Sequence, residues 1–161
     1  MRENLFKFIF TIIVILFCNS AFSQKVDSVA LFKQSDTVQI KYCINRFFEG
    51  LEGQDTVKLK EALYTDVTLK TIVENYAEKK EKFVVETKEE LIKIVAKKRN
   101  VTLDERLLGI EIRIDGRLAS VWTPYEFYIN RQPSHRGANN FQLVKTDTGW
   151  KIFSIVDTRH K

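Results

Sequence analysis

The sequence predicts an α+β domain in which about three N-terminal helices pack on one face of a curved, mainly antiparallel sheet with a central cavity. Two observations lead to this prediction. Apolar residues recur at helical spacing in the N-terminal half of the chain, and they alternate with polar residues at strand spacing after Leu103. Helices and strands segregated in this way bury their apolar sides by packing as two layers.

The first 23 residues have the three parts of a cleavable secretion signal. Arg2 and Lys7 make the start positive, residues 8–17 are apolar except for Thr11, and residues 21–23 place small side chains before a cleavage site. A membrane-spanning helix needs roughly 20 apolar residues, about twice the length of this run. We therefore expect cleavage after Ser23, a secreted or periplasmic protein, and no attachment to the membrane after cleavage.

Cleavage changes the cysteine content and the charge. Removing 23 of the 161 residues leaves 138, the size of one domain. Cys18 is lost, so Cys43 cannot form an internal disulfide and is expected to be a buried apolar residue. Loss of two cations and one anion lowers the net charge from +5 to +4. This mild, mixed charge argues against nucleic-acid binding.

Metal and cofactor sites are not indicated by the sequence. His135 and His160 are the two histidines of the chain, and no cluster of cysteine and histidine has the spacing of metal ligands. We therefore expect neither a metal nor a cofactor.

Helical patterns open the predicted domain, 36–161, after a short leader segment, 24–35. A first helix from Asp36 to Gly53 has one apolar face, and a second, short helix begins at Asp55 or Thr56. A capping box at residues 87–90 predicts a third helix. The residues that this third helix should bury are Leu91, Ile92, Val95 and Ala96.

Strands account for the rest of the domain. Alternation around Ile112, followed by Asp115-Gly116, indicates a hairpin, and Pro124 predicts a bulge or bend in the return strand. Residues 130–137 are expected to form a polar loop. The predicted strands are Asp66–Val73, Phe83–Val85, Ile110–Ile114, Leu118–Ile129, Phe141–Val144 and Trp150–Thr158.

Several segments carry a family resemblance. In the N-terminal half they are FFEGLEGQD at 47–55 and LYTDVTL at 63–69. In the C-terminal half they are ASVW at 119–122, YEFY at 125–128, SHRG at 134–137, FQLVK at 141–145 and GWKI at 149–152. The first set resembles the nuclear transport factor 2-like (NTF2-like) superfamily, which contains SnoaL-type cyclases and ketosteroid isomerase. The second set resembles its exported bacterial members, often described as lumazine-binding.

The resemblance covers residues 36–159 and implies a conical fold with a ligand-sized cavity, often dimeric through the sheet. It does not imply one reaction, because folds of this kind carry many functions. The tyrosine and the aspartate base of ketosteroid isomerase fall on Phe47 and Thr71, which cannot replace them. This replacement favours a protein that is not an enzyme.

Candidate ligand-binding residues lie in the C-terminal half. His135 is expected in a loop over the pocket, where its imidazole can bind a ligand or transfer a proton. Glu126 and Tyr128 share one strand face, which either lines the cavity or points outward with Phe127 facing inward. Asn139 can offer an amide hydrogen bond. The aromatic residues expected to line the cavity are Trp122 and Phe141.

The last predicted strand carries a further pair of charged residues. Asp157 and Arg159 are two apart on the last strand, and we interpret them as a surface ion pair. The leading hypothesis is an exported domain that binds an unknown small molecule without catalysis. The alternatives are a SnoaL- or isomerase-like enzyme using His135 with Glu126 or Tyr128, and a protein-interaction module that forms a homodimer through its sheet.

Overall fold

The computed structural model describes residues 35–75 and 80–160. The predicted secretion signal and the leader segment up to residue 34 lie outside these residues. The helices are α1 (Asp36–Gly53), α2 (Thr56–Ala62) and α3 (Lys88–Ala96). The strands are β1 (Leu63–Asn75), β2 (Lys80–Glu86), β3 (Leu103–Leu107), β4 (Glu111–Asp115), β5 (Leu118–Ile129), β6 (Gln132–Thr146) and β7 (Gly149–His160).

The seven strands form one curled sheet in the order β2-β1-β7-β6-β5-β3, with β4 also paired to β5. Strand β1 runs parallel to β7, and the other pairings within the described residues are antiparallel. The predicted α+β class and mainly antiparallel sheet are therefore confirmed.

The helix starts are fixed by the capping groups that the sequence indicated. The Asp55 carboxylate accepts hydrogen bonds from the Val57 and Lys58 amides at 3.0 and 3.1 Å, which begins α2. At α3 the capping box is present, because the Glu90 amide donates to Thr87 Oγ1 while the Thr87 amide donates to Glu90 Oε2. Within α3, Val95 is buried as predicted. Ala96 is exposed, contrary to the prediction, because it lies in the last turn beside the exposed C-terminal end.

The predictions of a bulge at Pro124 and of a loop over residues 130–137 are wrong. The β5–β6 register runs through Pro124 without a shift, because Pro124 lies where the opposite neighbour of β5 changes from β4 to β3. Residues 132–137 belong to β6 instead of a loop. Asn130 and Arg131, both with positive φ, complete the reversal in two residues. A register shift beside Pro133 leaves Ser134 without a paired residue on β5.

The core lies between the helices and one face of the sheet. Phe47 and Phe48 of α1 meet Phe141 of β6 edge to face, with ring centroids 5.7 and 5.9 Å away. Ile44 and Ile40, which lie one and two turns earlier on α1, are fully buried. Among the described residues, no helix has the length and apolar character needed to cross a membrane.

Gly137 of β6 marks a close approach of two strand backbones. A Cβ atom at this position would lie 1.8 Å from the carbonyl oxygen of Thr158 on β7. The Tyr125 hydroxyl, which donates to that same oxygen at 2.9 Å, would also be displaced. Glycine is therefore required here by the space between β6 and β7.

We predict that Gly137→Ala lowers the free energy of unfolding by about 1–3 kcal/mol, because the added methyl group must push backbone apart. Gly109→Ala is the matched control, since a Cβ atom there meets nothing within 4 Å. Urea unfolding of both variants measures the difference. Equal stabilities would show that β6 and β7 are not held this closely.

Candidate functional site

A pocket of about 280 Å³ lies between α1, α3 and the sheet. Its walls are mainly apolar. The polar residues that line it are Glu52, Lys70, Thr71, Glu86, Arg99, Glu105, Tyr125, His135, Asn139, Asp157 and Arg159. The apolar lining residues are Phe47, Phe48, Leu51, Leu69, Leu91, Ile94, Val95, Leu103, Phe127 and Ile155. This combination of an apolar wall with a few converging polar groups is typical of small-molecule sites.

An ion pair with its own hydrogen-bonding partner forms part of the polar lining. Thr71 and Asp157 lie opposite each other on the parallel strands β1 and β7, and Thr71 Oγ1 donates to Asp157 Oδ1 at 2.6 Å. Arg159 Nε donates to Asp157 Oδ2 at 2.9 Å. Asp157 is 9% exposed, so the interpretation of a surface pair is wrong for its carboxylate. The Arg159 side chain is half-exposed at the pocket edge.

Glu105 of β3 is another acidic residue of the pocket. Its Oε1 accepts a hydrogen bond from Asn139 Nδ2 at 2.7 Å, and the same nitrogen donates to Thr123 Oγ1. Burial raises the pKa of Glu105 to about 7, and the nearby Asp157 carboxylate adds to the rise, while the Asn139 hydrogen bond opposes it. Near neutral pH this carboxyl group is therefore poised between its two protonation states.

His135 lines the same pocket from β6. Its ring stacks on Phe127 with centroids 4.7 Å apart and meets Tyr125 edge to face at 5.9 Å. Burial lowers the pKa of His135, and the positive charge of Arg159 lowers it further. The imidazole is thus held as a neutral group. Its Nδ1 lies 3.1 Å from Ser134 Oγ, and its Nε2 can donate or accept a hydrogen bond, depending on the tautomer.

Two of the six candidate ligand-binding residues, His135 and Asn139, line this pocket. Glu126 and Tyr128 lie on the opposite, outer face of β5, where the Tyr128 hydroxyl donates to Glu126. Of the two orientations considered for this strand, the outward one therefore applies. Trp122 is also on the outer face, and Phe141 is fully buried in the core.

The polar pocket residues that the sequence analysis did not predict as ligand-binding include Glu105, Asp157, Arg159 and Thr71. A signal for Glu105 exists, because Leu103, Glu105 and Leu107 alternate and so share one strand face. Asp157 has a similar signal, since it alternates with the buried Ile155. The face on which each β7 residue lies cannot be found by counting alternate residues from the start of the strand, because the pairing with β6 skips Phe153.

Other chemical groups are less suited to a site. Cys43 is buried, and burial raises the pKa of its thiol to about 12, so it is an apolar core residue as predicted. Within residues 35–75 and 80–160, no group of three or more histidine, cysteine, aspartate and glutamate side chains is arranged to hold a metal ion.

Comparison with solved structures identifies the fold. An NTF2-like protein from Cytophaga hutchinsonii matches with a TM-score of 0.61 and 17% identity over 79% of this chain and 100% of that chain. An NTF2-like protein of unknown function from Methylobacillus flagellatus has a TM-score of 0.53 and 22% identity, over 80% and 97% of the chains. A suggested dehydratase of the NTF2-like family from Streptomyces avermitilis has a TM-score of 0.60 and 15% identity, over 78% and 96%.

The chain therefore has an NTF2-like fold, as the sequence resemblance implied. No protein-family model matches the sequence, and no curated protein matches it significantly. At these identities the likeness establishes the fold and leaves the function to the site.

We predict that Glu105→Gln becomes stabilising relative to the wild type as the pH rises. The raised pKa means that folded Glu105 keeps its proton up to about pH 7, whereas the unfolded chain releases it near 4.5. Its contribution to stability is therefore complete below pH 4.5 and is lost as the pH rises through 7. Glutamine keeps the acceptor for Asn139 and carries no charge.

Urea unfolding at pH 4.5, 6 and 8 measures this effect. The difference in free energy of unfolding between variant and wild type should grow by up to about 3 kcal/mol across the range. A difference that does not change with pH would contradict the raised pKa.

Proposed function

We propose that this domain binds a small, mainly apolar molecule whose uncharged polar group is held by Glu105, His135 and Arg159. One observation carries the proposal: the apolar walls of the pocket converge on a compact set of polar side chains. Hydrophobic burial would supply most of the affinity, and the polar set would fix the orientation of the ligand.

The charge of the polar set favours a neutral polar group on the ligand. Asp157 already uses both of its oxygens, one for Thr71 and one for Arg159. Glu105 offers a hydroxyl donor when protonated, and His135 offers a neutral ring. A ketone, phenol or alcohol satisfies such groups without bringing an unpaired charge into the pocket.

Secretion is part of the same proposal. The signal-like residues 1–23 favour a secreted or periplasmic protein that begins at Gln24 and meets its ligand outside the cytoplasm. The mass of the protein purified from its own host would establish the cleavage site. Binding of lumazine, dimerisation through the sheet and docking of another exported protein remain predictions from the family resemblance.

We predict that the protein retains a ligand when it is purified from its native host. Native mass spectrometry should show an added mass, and delipidated protein should gain thermal stability with apolar ketones, phenols or alcohols in a screen that includes lumazine. Leu69→Trp, which fills the pocket, should abolish the gain, whereas Leu118→Trp on the outer face should preserve it. No added mass and no gain with any compound would contradict the proposal.

Proton transfer is a second candidate function, favoured by the pKa of Glu105. A carboxyl group with a pKa near 7 can take and return a proton at neutral pH, which is the requirement for a general acid–base. The likeness to a suggested dehydratase is in keeping with such chemistry. In this mechanism Glu105 exchanges the proton, while His135 or Arg159 stabilises negative charge developing on the ligand oxygen.

For this second candidate, we predict proton exchange at carbon atoms next to a carbonyl group. Incubation of cyclic ketones in D2O, followed by NMR, should show exchange above the buffer rate, with a pH profile that inflects near 7. Glu105→Gln should reduce the rate about 100-fold, whereas Glu126→Gln on the outer face should leave it unchanged. Full activity of Glu105→Gln would exclude Glu105 as the proton carrier.

A further inference from the structure

A second depression lies on the outer face of the sheet, opposite the pocket. Its volume is about 380 Å³, and it is lined by Glu111, Arg113, Ser120, Trp122 and Asn140. We call this set the outer depression. Its polar side chains surround one large aromatic ring, whereas the walls of the pocket are mainly apolar.

The strand register brings these five residues together. Trp122 of β5 lies between Glu111 of β4 and Asn140 of β6 in one row across the sheet. Arg113 and Ser120 face each other in the next row. Opposed residues on neighbouring strands are about 5 Å apart, so the row of three residues spans about 10 Å and has room for a small ring. The short Ser120 side chain leaves space beside the indole.

The polar groups of the outer depression are available to bind a ligand. Asn140 Oδ1 is buried and makes no hydrogen bond within the described part of the chain. Its amide can therefore turn and present either its oxygen or its NH2 group without breaking a bond of that oxygen. Among the described residues, neither Glu111 nor Arg113 takes part in an ion pair. A carboxylate, a guanidinium and an amide are thus available around the ring.

Trp122 itself is 43% exposed, although its neighbours Val121 and Thr123 on the pocket side are fully buried. An indole ring that remains this exposed offers a flat apolar surface with a polar N–H. A sugar ring matches this arrangement, because it has an apolar face of C–H groups and a rim of hydroxyl groups. The carboxylate, guanidinium and amide can bind adjacent hydroxyls as paired acceptors and donors.

We propose that the outer depression is a carbohydrate-binding site in which one sugar ring stacks on Trp122 and its hydroxyl groups bind Glu111, Arg113 and Asn140. The site is separate from the pocket and does not depend on the proposed function. An open site with a single aromatic platform binds weakly and suits one unit of a longer polysaccharide.

Affinity electrophoresis through gels containing xylan, laminarin, mannan or soluble starch tests this proposal. The wild type should be retarded in at least one gel, and its affinity for the matching hexasaccharide is then measured by titration. Trp122→Ala should weaken that affinity about tenfold. Asn140→Ala should weaken it several-fold.

Leu118→Ala is the matched control, since Leu118 is half-exposed on the same face of β5 and lies outside the depression. It should bind like the wild type, as should the pocket variant His135→Ala. Absence of retardation in all four gels would overturn the proposal, as would wild-type affinity in Trp122→Ala. Sedimentation gives another contrary outcome: a dimer that Trp122→Ala converts to a monomer, without carbohydrate binding, would make this face a self-interface.

Discussion

The contact of Phe47 and Phe48 with Phe141 determines where a pocket can form. The three rings fill the space between α1 and the middle of the sheet, and they hold helix and sheet at a fixed separation. Phe47 and Phe48 also line the pocket, so each of these two rings packs in the core and also forms part of the pocket wall. On that side, α3 supplies Val95 as its buried residue, and the remaining volume is left unfilled.

Two of the acidic residues that line the pocket, Asp157 and Glu105, have different hydrogen-bonding partners, and this difference determines the chemistry that the pocket can offer a ligand. Asp157 is supported by Thr71 and Arg159, so its charge is balanced by an ion pair and a hydrogen bond. The Glu105 carboxyl group accepts one hydrogen bond within the described residues, from Asn139, and lies near the Asp157 charge. The cost of burying the charged Glu105 carboxylate therefore exceeds the stabilisation that the Asn139 hydrogen bond gives it. The group is then able to donate a proton near neutral pH. Two carboxyl groups with separated roles suit both ligand binding and proton transfer.

Sequence periodicity predicted most of the fold because it reports burial directly. The helix of residues 36–53, the caps at Asp55 and Thr87 and the alternating strand β5 all depend on local patterns. The site was harder, because its residues come from several strands whose register is not local. Asp157 meets Thr71 through a parallel pairing across 86 positions of sequence, which no local pattern specifies. His135 was expected in a loop because residues 130–137 are polar. Residues 132–137 instead continue β6, where a register shift skips Ser134 and Gly137 allows a close backbone approach.

A carbon-13 NMR titration of the Glu105 carboxyl group tests the central claim most directly. With the glutamates labelled and the signal assigned by Glu105→Gln, the chemical shift reports the protonation of this one group. We predict that the Glu105 carboxyl group titrates with a midpoint near pH 7, since burial and the Asp157 charge both favour its neutral form. A midpoint near 4.5, the ordinary value for glutamate, would show that Glu105 is solvated and that the pocket does not hold an uncharged carboxyl group.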